Sequence, residues 1–167
     1  MAMAWTDPST WVAGAILTAQ KLNEQVRDNL KAIGDPWQTY APTWSSSGTN
    51  PSVGNGSLSG AFSQAGKQVN FRAQITIGST TTFGSGVYSI GLPVVAMATR
   101  WIFTGAIREA SPLVTYAAFG ETAGGSSAAL RVLPTTPGGP LTGLSQGTPI
   151  TLSSGDVIAI AGSYEAA

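Results

Sequence analysis

The chain is predicted to be mainly β: an antiparallel β-sandwich or jelly roll preceded by an N-terminal arm and one α-helix. Three observations predict this. Seven of the sixteen charged residues fall in the first 35 positions, leaving nine for the 132 that follow, so two physically different segments are joined. In the charged segment, apolar residues recur at helical spacing. Beyond Pro36 they alternate with polar ones in short runs separated by Gly, Pro and Ser clusters.

The helix is predicted from about Thr18 to Ile33. The Thr18 hydroxyl can accept from a free backbone N–H as N-cap, and Gly34-Asp35-Pro36 is a stop, because Gly tolerates a left-handed turn and Pro cannot continue. Leu22, Val26, Leu30 and Ile33 form one apolar stripe at spacings of 4, 4 and 3. Glu24 with Arg27, and Asp28 with Lys31, offset the like-charge pair Glu24 and Asp28, so ion pairing adds little. A helix this short is marginal alone, and its stripe needs a partner. The β-rich segment or other copies of the helix would serve. In a bundle of copies, Asn29 would lie at the seam and set register; docked on a globular domain, it would lie at the edge.

Lys67 to Ile77 is the clearest strand, placing Val69, Phe71, Ala73, Ile75 and Ile77 on one face. Further strands are expected at Leu58–Ser63, Val87–Leu92, Arg100–Glu109, Leu113–Phe119, Ala128–Leu133, Ile150–Leu152 and Asp156–Tyr164. The expected breaks are Gly78-Ser79, Gly84-Ser85-Gly86, Pro93, Ser111-Pro112, Gly120 through Gly125, Pro137-Gly138-Gly139-Pro140 and Ser153 through Asp156. Asn55-Gly56 is a favoured hairpin pair leading into the first long strand. Strands at this spacing imply a sandwich or jelly roll. Residues 1–35 are thus one unit and 36–167 the other.

Some strands look apolar on both faces. Trp101, Phe103 and Ile107 alternate with Ile102, Thr104 and Ala106, and the run from Val157 to Ala161 is apolar throughout. A solitary sandwich would face polar groups to water. The β domain is therefore expected to bury a sheet against identical subunits.

Composition removes many chemistries. The chain contains no cysteine and no histidine, which excludes disulfides, thiol nucleophiles, imidazole proton shuttles and the usual zinc ligand sets. Eight basic against eight acidic residues argue against nucleic acid, which needs a cationic surplus to displace counterions. The first residues lack a secretory signal, and no apolar run is long enough to cross a bilayer, so no membrane insertion is expected.

Gly54 to Gly60 lacks the Lys-Ser/Thr ending of a phosphate loop, and no acidic cluster suits calcium. No metal and no cofactor are expected. A glycosidase would need two of Glu109, Glu121, Asp156 and Glu165 across a cleft, but these lie at strand ends, turns or the terminus, where solvated carboxylates are common. No catalytic residue is assigned.

Aromatics are the remaining specific feature. Trp5, Trp11, Trp37, Tyr40 and Trp44 cluster before the regular strands. With Pro8, Pro36 and Pro42 keeping these segments extended, they read as anchors seeking pockets, ahead of a sugar platform. Loops rich in Ser, Thr and Gly, at Thr80–Gly86 and Gly120–Ser127, are the candidate ligand loops, with Thr82, Phe83 and Ser85 singled out.

Ala4-Trp5-Thr6-Asp7-Pro8, Thr10-Trp11-Val12-Ala13-Gly14, Leu17-Thr18-Ala19, Leu22-Asn23 and Arg27-Asp28-Asn29-Leu30 together resemble the N-terminal segment of small structural proteins of tailed bacteriophages, such as decoration, head-fibre and minor tail proteins. Tyr40-Ala41-Pro42-Thr43-Trp44, Gly66-Lys67-Gln68-Val69, Gly84 to Pro93 and Ser154 to Glu165 are similar to the β-rich heads of phage fibre and decoration proteins. The resemblance implies a non-enzymatic virion component, commonly trimeric, attached to capsid or tail proteins by its N-terminal region. Trp5, Trp11, Leu22, Val26 and Leu30 would then carry attachment and helix packing. No long repetitive shaft links the two parts, which favours a short appendage leaning to capsid decoration. The alternative is a minor tail or tail-fibre adhesin that binds a host surface glycan.

Overall fold

The computed structural model describes residues 5–132 and 140–167. It is mainly β, a single antiparallel sheet curled into a sandwich, with one short helical run near the N-terminus.

That run covers residues 19–34 in three pieces: α1 (Ala19–Leu22), a π-turn (Asn23–Arg27) and α2 (Asp28–Gly34). Thr18 caps it as its sequence predicts, its hydroxyl accepting from the Lys21 N–H at 3.3 Å. The predicted ion pairs are replaced by others. Arg27 bonds Asp28, Lys31 bonds Asp35, and Glu24 accepts from Gln20 at 2.8 Å.

The strands are β1 (Gln38–Tyr40), β2 (Trp44–Ser46), β3 (Ser57–Ala65), β4 (Gln68–Thr76), β5 (Tyr88–Ala96), β6 (Trp101–Arg108), β7 (Thr115–Thr122), β8 (Gly125–Val132), β9 (Thr142–Gly143) and β10 (Val157–Glu165). Their order in the sheet is β1-β3-β4-β10-β6-β7-β8-β5-β2, with β9 on β8. Closure depends on residues 38–46. Their first half pairs with β3 (Tyr40 opposite Gly60) and their second half with β5 (Trp44 opposite Ile90), and Thr43 O accepts from Gly91 N at 2.8 Å. One extended segment thus joins the two ends of the sheet and covers edges that would otherwise expose unpaired backbone.

Tyr164 ties β10 to β5. Its hydroxyl donates to Val94 O at 2.7 Å and accepts from Val94 N at 3.1 Å. The β3–β4 hairpin turns on Gly66-Lys67, with Gly66 at φ +57°, a conformation glycine takes without strain.

The alternation in β4 places Val69, Phe71, Ala73, Ile75 and Ile77 in the core, all buried. Phe103 and Ile107 of β6 and Ile158 and Ile160 of β10 meet them, and Phe71 and Phe103 pack edge to face at 4.9 Å. Burying such side chains stabilises by about 1.5–3 kcal/mol each.

Several expectations are corrected. Pro93 does not end its strand; it sits inside β5, where the register shifts between Gly91 and Ala96. A bulge removes the demand on the missing N–H. Gly120, Glu121 and Thr122 belong to β7 rather than to a break. Ile150 and Leu152 are buried as expected of core residues, but in a loop, not a strand. The turn before β3 closes from Gly56 N to Val53 O, so it centres on Gly54-Asn55 and not on Asn55-Gly56. Asn55 is instead bonded to Thr80 and Ser79. Leu133 and the predicted break at residues 137–139 lie outside the described residues.

Candidate functional site: the arm and helix

The arm lies along the helix, held by two carboxamides four residues apart. Asn29 is buried; its Oδ1 accepts from Thr6 N at 3.0 Å, and its Nδ2 donates to Thr6 O at 2.8 Å and to Gln25 O at 3.1 Å. Gln25 Oε1 accepts from Ser9 N (3.2 Å), Ser9 Oγ (3.0 Å) and Trp11 Nε1 (3.1 Å). Residues at i and i+4 lie one above the other on a helix, so the two amides form a rail that satisfies the backbone of an extended strand. Asn29 is thus neither at a bundle seam nor at an exposed edge. This use of Gln25 was not read from the sequence, where a helical glutamine carries no signal of a distant backbone partner.

The helix meets the β domain through α2, which lies against β3 and in which Ala32 is buried. Trp5 reaches the β3–β4 hairpin, its indole Cγ 4.0 Å from where a side chain would begin at Gly66. The face toward the protein's own body is therefore Gln25, Asn29 and Ala32, not the apolar stripe. The stripe is left open: Leu22 and Val26 are each 39% exposed, Leu30 and Ile33 each 64%. Trp11, Val12, Ile16 and Leu17 are exposed as well. Among the described residues, ten of the sixteen large apolar side chains that face solvent lie between Trp5 and Trp37. Patches of this kind on a folded protein mark interaction surfaces.

Two ion pairs, Arg27 with Asp28 and Lys31 with Asp35, lie along the helix. Hydrogen bonding to Arg27 holds the Asp28 carboxyl below its ordinary value, and Asp28 in turn raises Arg27.

Two of the clustered aromatics belong elsewhere. Trp44 is a core residue, packed on Tyr88 at 5.2 Å and on Phe83 at 6.3 Å. Tyr40 is half-buried against Phe62. They are not anchors of the arm, because residues 38–46 form the closing strand. Trp37, 47% exposed, lies under the guanidinium of Arg72 at 5.4 Å.

The candidate ligand loop is pinned to its neighbours. Thr82 bridges Ser52 through both backbone bonds (2.8 and 2.9 Å), Ser85 Oγ accepts from Thr49 N at 3.1 Å, and Phe83 turns onto the core. A different concavity, of about 770 Å³, runs across the outer face of β1, β3, β4, β10 and β6, lined by Thr39, Ser59, Arg72, Gln74 and Thr104 among small residues.

Three of the four carboxylates of the β domain are engaged through their side chains. Asp156 is fully buried and accepts from Ala110 N (2.8 Å), Ser153 N (2.7 Å) and Ser153 Oγ (3.3 Å), which staples the turn before β10 to the end of β6. Glu121 pairs with Arg100 and lies 3.3 Å from Arg131 Nε. Glu109 accepts from the Tyr116 hydroxyl at 3.1 Å, which raises the Tyr116 pKa. Glu165 lies opposite Gln68 in the β10–β4 ladder, a backbone pairing.

No protein-family model, curated protein or solved structure matches the chain.

Proposed function

We propose that the protein is a non-enzymatic structural component of a tailed-phage particle, a trimeric surface appendage held by its N-terminal arm and leaning to a decoration or head-fibre role on the capsid. The observation that carries this reading is the crowding of exposed tryptophan and aliphatic side chains into residues 5–37 beside a β domain with a closed core of its own. Large apolar anchors on an extended arm gain free energy when a larger partner offers pockets for them. The rail formed by Gln25 and Asn29 supports it too, since it fixes the arm's course before docking and lowers the ordering cost of binding. Carboxylates occupied in staples and ion pairs favour a structural over a catalytic role.

The test is deletion of residues 1–35. Particles lacking the protein should bind full-length chain at full occupancy and the truncated chain not at all. Full occupancy by the truncated chain would end the proposal.

A second reading, a tail-borne adhesin for a host glycan, draws on the outer concavity. Arg72 lines it, and Trp37, stacked under the Arg72 guanidinium, supplies the aromatic surface that the Ser- and Gly-rich loops lack. Binding of purified protein to host cell walls, lost in Trp37→Ala, would promote this reading over the first.

A further inference from the structure

We propose that the stripe Leu22, Val26, Leu30 and Ile33 is the seam where copies of this chain meet, helix against helix and in parallel. The inference deepens the trimeric reading above and rests on it for the parallel sense, since a three-fold axis brings equivalent helices together side by side.

The stripe is built to be straight. In a regular α-helix, residues four apart drift steadily around the axis, and a long four-residue spacing leaves the contact face. Asn23–Arg27 forms a π-turn here, with Asp28 N–H reaching back five residues to Asn23 O. The wider turn cancels the drift and keeps Leu22, Val26 and Leu30 on one line.

Nothing within the described residues of the chain covers this line. The neighbouring face is occupied, with Gln25 and Asn29 bonded to the arm and Ala32 buried, while Leu30 and Ile33 remain 64% exposed. The stripe with Ile16 and Leu17 just before it presents on the order of 600 Å² of apolar surface, the upper end of what a monomer shows. Divided between the two neighbours that a three-fold axis gives each copy, that is roughly 300 Å² per pairwise contact, less than the about 800 Å² of a standard interface, so the seam holds only with all three helices together.

Charge permits the approach. Arg27 and Lys31, two of the three helix cations, are paired within the chain to Asp28 and Asp35 respectively, which softens repulsion between copies. The sheets offer less. Outward positions on β4, β6 and β10 are Arg72, Gln74, Thr104, Ala106, Ala159 and Ala161, with Ile102 the large exposed exception.

Two measurements on the full-length protein test the seam. In sedimentation at micromolar concentration, wild type should run as a trimer, Leu30→Glu/Ile33→Glu as a monomer with an unchanged β spectrum, and Ile102→Glu as a trimer. Independently, Leu30→Cys should crosslink between copies on mild oxidation and Ile102→Cys should not, the chain having no other thiol. A monomeric wild type, a double variant that keeps its mass, or crosslinking only through position 102 would overturn the proposal. So would a monomeric wild type whose particle binding is lost in the double variant, which would assign the stripe to a particle protein instead. A trimer that dissociates as expected but fails to join particles leaves the seam standing and removes the virion role.

Discussion

Asn29 and Thr6 are paired like neighbours in a β-ladder: the carboxamide donates to the Thr6 carbonyl at 2.8 Å and accepts from its N–H at 3.0 Å. A side chain on a helix thereby does for the arm what an adjacent strand would do. Net hydrogen-bond contributions are about 0.5–1.5 kcal/mol each, so Asn29→Ala should release the arm and leave the sandwich intact. Hydrogen exchange at Thr6 should accelerate roughly 10-fold or more while the melting temperature stays within about 3 °C of wild type. Unchanged exchange at Thr6 would show that other contacts hold the arm.

Phe71 and Phe103, each 1% exposed and packed edge to face, join β4 to β6 over the intervening β10. Phe71→Ala should destabilise by about 3–5 kcal/mol in urea denaturation, through lost burial and a residual cavity. Ile102→Ala, one residue from Phe103 on the opposite face, should stay within about 0.5 kcal/mol in the isolated chain.

Asp156 is a second point of leverage. Replacing it with Ala leaves two backbone N–H groups, of Ala110 and Ser153, without their acceptor. The expected loss is about 2–4 kcal/mol, larger than for an exposed carboxylate because the stranded donors sit in a buried turn. A variant as stable as wild type would contradict this role. On the structural reading, particles assembled with Asp156→Ala at a permissive temperature should carry the protein normally.

Alkaline pH should unfold the domain through its tyrosines. Burial raises the pKa of Tyr40 and of Tyr164 above the ordinary 10. The folded chain therefore holds phenolic protons that the unfolded chain releases. That stability is complete below pH about 10 and is lost as pH rises through the folded values. Tyr164→Phe should be less stable at pH 8 by about 1–3 kcal/mol, having lost both bonds to Val94, yet decline less steeply between pH 10 and 12. Parallel slopes for variant and wild type in denaturant titrations would refute the linkage.

The strand over Val69 to Ile77 was legible because one face is wholly buried and the other is not, so the alternation runs without a fault. Where burial is one-sided over only three residues, as in Gln38–Tyr40 and Trp44–Ser46, alternation has no room to register, and the aromatics there read as anchors. Trp44 and Tyr40 pack inward only because β3 and β5 lie on either side of that segment. The candidate loop at Thr82, Phe83 and Ser85 has a similar history. Its composition signals a turn, but its bonds to Ser52 and Thr49 depend on a loop some thirty residues away.

By itself the amino-acid order determined the local and periodic features: a helix begun at Thr18 and stopped at Gly34, strands with a two-residue repeat, and the absence of sulfur and imidazole chemistry. These follow from backbone sterics and from which side chains water rejects, and both act over a few residues. Only the tertiary structure decided which side of the helix turns inward. Hydropathy alone would bury Leu30 and Ile33, yet Asn29 and Gln25 face the body because the arm's backbone must find hydrogen-bond partners there. That demand comes from residues some twenty positions away and leaves the apolar stripe for another molecule.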